Sequence, residues 1–209
     1  MKALTGVLLL ATASSARAGE IAASVADTAG KPVAEAVVFV YEIPGGAYPP
    51  PAEPAVMDQI NKEFVPRVLP ILAGTKVRFP NKDNTHHHIY SFSKAKKFEV
   101  PLFKDEPADP VEMEKPGVIK LGCNIHDWML GYILVLDNPY FARTGADGKA
   151  ALAGIPEGEY ELAVWSERLK GPVEATRQKV KVGAGAAKAA FKPSLGPARK
   201  AKRAAVGDY

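Results

Sequence analysis

Short runs of apolar and β-branched residues, each closed by Pro, Gly, Asn or Asp, fill the middle of the chain and restrict what it can fold into. No segment there sustains the apolar stripe of a helix. Regularly spaced short strands with turn signals between them predict an all-β protein, a sandwich or a barrel. The predicted strands are Val56–Ile60, Val68–Leu72, Lys76–Phe79, His88–Ser93, Lys97–Val100, Gly117–Gly122 and Gly131–Leu136.

Strand-like runs also precede and follow this region. Ile21–Val25 and Ala34–Tyr41 read as two strands joined by a turn that contains Gly30 and Pro32. The Pro- and Gly-rich segment Ile43–Pro54 cannot continue a strand inside a sheet, so we interpret it as a linker or a domain crossing. After residue 138, further runs alternate with turns, and Glu174–Val182 supplies another candidate strand.

The first eighteen residues resemble a secretory signal peptide. A short basic start with Lys2 leads into an apolar run through Leu10, and Ala16-Arg17-Ala18 has the small-x-small pattern of a cleavage site. We therefore expect a mature chain that begins near Gly19 and is exported, with a periplasmic location. No later apolar run approaches the ~20 residues of a membrane span, so no transmembrane segment is predicted.

The net charge of +4 is unevenly distributed along the chain. Residues 183–209 carry +5 and are rich in Ala, Gly, Lys and Pro, which predicts a basic disordered tail. A solubilising role for this tail is favoured over contact with an acidic partner or a membrane surface. Residues 19–182 carry −3, which argues against nucleic-acid binding.

The stretch Cys123–Met129 contains the chemistry-bearing residues of the chain. It places the single cysteine, a histidine and a methionine at three-residue spacing, as Cys123, His126 and Met129. Each residue alone has a simpler interpretation as core or surface, but a thiolate, imidazoles and a thioether together suit copper. A second histidine must come from residues 86–88, three consecutive histidines of which strand alternation makes only one well placed.

This region resembles the cupredoxins, the small blue copper proteins such as amicyanin and plastocyanin, and cupredoxin-like proteins labelled as methylamine-utilisation proteins. The resemblance implies a Greek-key sandwich over residues 51–137 and a copper ion held by His87, Cys123, His126 and Met129, with His88 as second choice for the first histidine and His86 as third. It also implies that Asn81, six residues before His87, ties the two ligand loops together. The motifs that carry it, besides Cys123–Met129, are Phe64–Pro66, Ala73–Val77 and Phe79–Asn81.

The flanking segments show a second resemblance, to carboxypeptidase-regulatory or prealbumin-like β-sandwiches. It implies a discontinuous sandwich, formed by residues 19–50 and 138–182, into which the cupredoxin is inserted, with a scaffold or docking role. The motifs that carry it are Gly30–Val33, Ala36–Val40, Thr144–Gly148 and Gly154–Tyr160.

Together these features predict a periplasmic mononuclear type 1 copper protein that carries single electrons to or from an unidentified redox partner. An enzyme is not expected, because protein ligands fill the one metal-ligand constellation and leave no place for a substrate. Two alternatives remain open at this point: a periplasmic Cu(I) carrier or storage protein, and an adhesive or glycan-binding sandwich with a structural copper site.

Overall fold

A computed structural model describes residues 18–107 and 109–198. These residues form β-strands and one short 3₁₀ helix, so the predicted all-β class is confirmed. In chain order the strands are β1 Ala18–Val25, β2 Val37–Val40, β3 Ala55–Val56, β4 Asp58–Ile60, β5 Glu63–Val65, β6 Val68–Leu72, β7 Thr75–Arg78, β8 His87–Phe92, β9 Lys97–Phe103, β10 Val111–Met113, β11 Gly117–Cys123, β12 His126–Leu136, β13 Phe141–Arg143, β14 Lys149–Pro156, β15 Gly158–Trp165, β16 Gln178–Val182 and β17 Ala187–Phe191; the 3₁₀ helix is Val173–Thr176.

Strands from both ends of the described chain pair to form one β-sandwich, which we call the outer unit. Its two sheets have the strand orders β14-β1-β17 and β13-β2-β15-β16. In β1 exposed and buried residues alternate without a break, which is the pattern of a strand with one face on a core. The buried side chains Ile21, Leu152, Ile155 and Leu162 lie in the core between these sheets.

The strands in between form the inner unit. Its main sheet has the order β6-β12-β11-β8-β9, and a second sheet has the order β10-β7-β3, while β4 and β5 pair as a hairpin. The β6 and β12 strands run parallel. The pairs β12–β11, β11–β8 and β8–β9 are antiparallel. Ile89, Ile119, Leu121 and Ile133 are fully buried in its core.

A third core cluster lies where the two units meet. It joins β6 and β12 of the inner unit to β2 and β15 of the outer unit, and the residues that form it are buried. Two ion pairs flank this interface, Arg67 with Glu167 and Arg143 with Glu35. The buried members of the cluster are Val37, Phe39, Val68, Leu134, Leu136 and Ala163.

The segment predicted to be a disordered tail departs from that expectation over residues 187–191. These residues form β17, which pairs in parallel with residues 21–25 of β1, and bury Ala189 and Phe191 in the outer core. The prediction from composition was wrong here, because an available sheet edge supplies backbone partners that a local sequence window does not contain. Residues 199–209 lie outside the described part.

The predicted signal peptide, apart from Ala18, also lies outside the described residues. Within the described ranges, no helix has the length and apolar character needed to cross a bilayer.

Candidate metal centre

Three neighbouring strands of the inner sheet place the predicted strong ligands. Cys123 is the last residue of β11, where it pairs with His126 of β12 on one side and with Ile89 of β8 on the other. Asn124 and Ile125 alone connect β11 to β12, so the predicted ligand loop between Gly122 and Gly131 is in fact a two-residue turn. Backbone pairing between β8, β11 and β12 therefore fixes the positions of the Cα atoms that carry these side chains.

The donor atoms of His87, Cys123 and His126 converge. Cys123 Sγ lies 3.7 Å from His87 Nδ1 and 3.5 Å from His126 Nδ1, and the three donor atoms all lie within 4.8 Å of one another. One ion bonded to a sulfur and a nitrogen requires them to be within about 4.4 Å, since such bonds are about 2.3 and 2.1 Å long for zinc. Both sulfur–nitrogen distances meet this limit, so the group fits a single metal ion.

The consecutive histidines differ sharply in position. His87 is fully buried and faces Cys123, while His86 is exposed. His88 points to the other side of the strand, where its Nε2 lies 2.6 Å from Oε1 of Glu99. Only His87 of the three is therefore part of the cluster, which is the position that the motif predicted.

Asp83 supports the His87 ring from behind. Its Oδ2 lies 3.0 Å from His87 Nε2, which leaves Nδ1 directed at Cys123. The same carboxylate accepts the backbone N–H groups of Asn61 and Lys62 at 2.5 and 2.7 Å. Burial opposes ionisation of Asp83, but the Lys62 N–H, the His87 ring and the Asn61 N–H outweigh it and lower the pKa of Asp83. A carboxylate behind a ligating histidine commonly fixes its tautomer and orientation.

The electrostatics of the cluster lower the pKa of the Cys123 thiol. Burial alone raises the pKa of Cys123, but hydrogen bonds from the His87 ring and from the backbone N–H groups of His88 and Ile125 outweigh burial and lower it. Burial likewise disfavours the charged form of His87, yet its contacts with Cys123 and Asp83 raise the pKa of the imidazole. Because metals bind the deprotonated thiol, a lowered thiol pKa assists binding.

Two other predicted site residues have distinct outcomes. Met129 is buried in β12 and belongs to the same core cluster as Cys123, and its role as a fourth ligand stays a prediction. Asn81 donates to the carbonyls of Thr85 and Lys104 and accepts the N–H of Asp83. Within the described residues these bonds order the His87 loop and connect it to the end of β9. These bonds do not connect the His87 loop to the turn after Cys123. The predicted link between the two ligand loops is therefore not among the contacts of Asn81 in the described residues.

Sequence reasoning missed Asp83. It stands four residues before His87 in a turn of polar residues, where Asp is expected for backbone reasons alone. The one signal available in the sequence was that the Asp83 carboxylate lies close to the histidine triplet.

Comparison with solved structures finds cupredoxins. The reduced state of an amicyanin variant is 20% identical over 40% of this chain and 82% of its own, with a TM-score of 0.36. A purple cupredoxin from Nitrosopumilus maritimus is 28% identical over 39% of this chain and 96% of its own, with a TM-score of 0.33. The Cu-containing nitrite reductase NirK from Thermus scotoductus SA-01 is 24% identical over 47% of this chain and 25% of its own, with a TM-score of 0.39.

No protein-family model matches the chain, and no curated protein matches it. The assignment of the metal centre rests on the His87, Cys123 and His126 side chains themselves.

Proposed function

We propose that the chain is a mononuclear copper protein that carries single electrons. The observation that supports this proposal is the buried cluster in which Cys123 Sγ lies 3.5 and 3.7 Å from two imidazole nitrogens. In this proposal His87, Cys123 and His126 are the strong ligands, and Met129 is a weak one.

The donor set favours copper over a structural zinc ion. Structural zinc sites use four strong ligands drawn from Cys, His, Asp and Glu. Here the described residues bring together three such donors, and Met129 is buried in the same core cluster as Cys123. One thiolate and two imidazoles in a plane, with a distant thioether, is the ligand set of blue copper sites. A bound copper ion would supply one-electron chemistry between its Cu(I) and Cu(II) states.

The burial of the cluster favours electron transfer over catalysis. His87 is 0% exposed, Cys123 2% and His126 8%, so no open face admits a substrate to the donor atoms. The ligands also lie on or beside paired strands, which limits how far they can move between oxidation states. A site that changes little in geometry exchanges electrons readily but does not bind and release reactants.

The face around His126 is the proposed route for electrons, because His126 is the most exposed of the three strong ligands. Its ring contacts that of Trp128 at a centroid distance of 5.6 Å, and Trp128 and Ile125 are 40% and 47% exposed. We propose a redox partner protein that approaches this face. With the predicted signal peptide, the proposed location is the periplasm.

Addition of Cu(II) to the purified apoprotein tests the proposal. We expect an intense sulfur-to-copper charge-transfer band at one copper per chain, absent in Cys123→Ser and strongly altered in His87→Ala. The matched controls are His86→Ala and His88→Ala, which should keep the band, because neither side chain belongs to the cluster.

A fully loaded but colourless Cu(II) form would contradict the proposal. Voltammetry separates the carrier alternative from electron transfer. Fast, reversible electron exchange supports the proposed function, whereas slow exchange with tight retention of Cu(I) favours copper delivery or storage.

A further inference from the structure

We propose that Arg67, held in place by Glu167 of the outer unit, is a positioning residue for Met129. Through it, the outer unit sets how closely the thioether approaches the metal centre. This inference rests on the proposed function, because it concerns the weak ligand of the copper site. The outer unit does not have to contact His87, Cys123 or His126 for this effect.

Arg67 holds the β12 backbone at two points directly after Met129. Its Nη1 donates to the carbonyl oxygen of Leu130 at 2.7 Å, and its own backbone carbonyl accepts the N–H of Tyr132 at 2.9 Å. The peptide between Leu130 and Gly131 is therefore held by a charged side chain. A displacement of Arg67 is therefore expected to move the β12 backbone at Leu130, next to Met129.

Phe64 also confines this segment. A Cβ placed on Gly131 would lie 2.8 Å from Cβ of Phe64, which is closer than normal packing allows. Phe64 is buried in β5 and cannot withdraw without disturbing the inner core. Phe64 and Arg67 therefore both limit movement of the segment from Leu130 to Tyr132.

Glu167 orients the guanidinium of Arg67. Its carboxylate accepts from Nε at 3.0 and 3.1 Å and from Nη2 at 2.5 Å, and both side chains are less than 20% exposed. Paired contacts of this kind between arginine and a carboxylate are directional as well as strong. The guanidinium also lies 5.9 Å above the ring of Tyr132, which contacts Trp165 of the outer unit edge-on at 5.5 Å.

The effect should be selective for Met129 among the ligands. His87 is on β8 and Cys123 on β11, which are held by their own backbone pairing, and His126, at the start of β12, pairs with Cys123. The β12 segment that follows Met129 also accepts a hydrogen bond from Arg67, whose guanidinium is oriented by Glu167 of the outer unit. Loosening Arg67 is therefore expected to change the weak ligand while leaving the strong ligands in place.

The test uses copper-loaded full-length protein with the substitution Glu167→Gln. Glu35→Gln is the matched control, since Glu35 pairs with Arg143, whose Nη1 contacts the carbonyl of Val68 in β6 rather than one in β12. Both variants lose one carboxylate charge at the same interface. The readouts are copper content, the reduction potential and the electron paramagnetic resonance spectrum.

We expect Glu167→Gln to bind one copper per chain and to shift the reduction potential in the same direction as Met129→Leu, by a smaller amount. Glu35→Gln should have the potential of the wild type. In a Met129→Leu background, Glu167→Gln should shift the potential no further than Glu35→Gln does, because there is no thioether left to position. Arg67→Lys, which keeps the charge but loses the paired contact, should reproduce the effect of Glu167→Gln.

A blue wild type in which Glu167→Gln leaves the potential unchanged would overturn the positioning role alone. A shift that persists in the Met129→Leu background would also overturn it, since it would then be an electrostatic effect of the lost charge. A wild type that binds Cu(II) without a charge-transfer band would instead overturn the proposed function, and the inference with it.

Discussion

Replacement of Gly131 by alanine should destabilise the inner unit without altering any polar group. The added Cβ would lie 2.8 Å from Cβ of Phe64 and 3.0 Å from its Cγ and Cδ2. Carbon atoms in packed interiors prefer about 3.5–4.0 Å. Because the backbone fixes Cβ of Phe64, no rotation of its side chain relieves the closest contact, so β5 and β12 must move apart.

The expected cost of Gly131→Ala is about 1–3 kcal/mol of unfolding free energy, as for other overpacked cores. For a chain of this length each kcal/mol lowers the melting temperature by about 2–4 °C. Urea denaturation of the apoprotein, followed by circular dichroism, measures the change without a contribution from metal binding.

Gly122→Ala is the matched control for this substitution. A Cβ there would lie 2.7 Å from the ring end of Tyr90, which is as close as the contact at Gly131. The ring of Tyr90 packs on Phe92, which is 79% exposed, so it can swing outwards. Gly122→Ala should therefore cost less. Equal losses in the two variants, or a change under about 0.5 kcal/mol for Gly131→Ala, would refute the reasoning.

Three further substitutions test other parts of the structure. Asp83→Asn should weaken Cu(II) binding by about 10- to 100-fold in a competition titration, because the carboxylate behind a ligating histidine is lost. Thr144→Val should cost roughly 1–3 kcal/mol in urea denaturation, since its buried hydroxyl donates to the Val33 carbonyl and accepts the Ala36 N–H. Phe191→Ala should cost about 3–5 kcal/mol in the same assay, and a loss under about 1 kcal/mol would mean that β17 does not pack on the outer core.

Several strands of the inner unit could be predicted from the sequence. Val68–Leu72 is observed with the predicted bounds, and the predicted Gly117–Gly122 is extended only by Cys123. The β17 strand could not be predicted, because Ala, Lys and Phe supply little apolar surface of their own. It forms since β1, more than 160 residues earlier in the chain, offers a free edge for parallel pairing.

The members of the His87, Cys123 and His126 cluster could be predicted from the sequence, whereas the residues that support this cluster could not. Cys123 and His126 stand close together in the chain, and the family motif singles out His87 from three adjacent histidines. Asp83 and Glu167 belong to no family motif, because each is an ordinary acidic residue in a turn or loop. Glu167 meets Arg67 across 100 residues of sequence, a contact that only the folded arrangement of the two units creates.

The way the inner unit is connected explains how such a contact can be maintained. A unit joined through one flexible linker would be expected to reorient freely. Here the chain leaves the outer unit after β2 and returns at β13, and these two strands pair with each other, with Phe141 opposite Phe39. Asn138, just before the return, donates from Nδ2 to the carbonyl of Val40 at 2.8 Å.

Both crossings therefore leave from one sheet, side by side, and the buried cluster between β12 and β15 lies beside them. Two adjacent crossings and a shared core restrict rotation of the inner unit about either connection. The Arg67–Glu167 pair then has a fixed distance to span, which is the condition under which a residue of the outer unit can position the backbone after Met129.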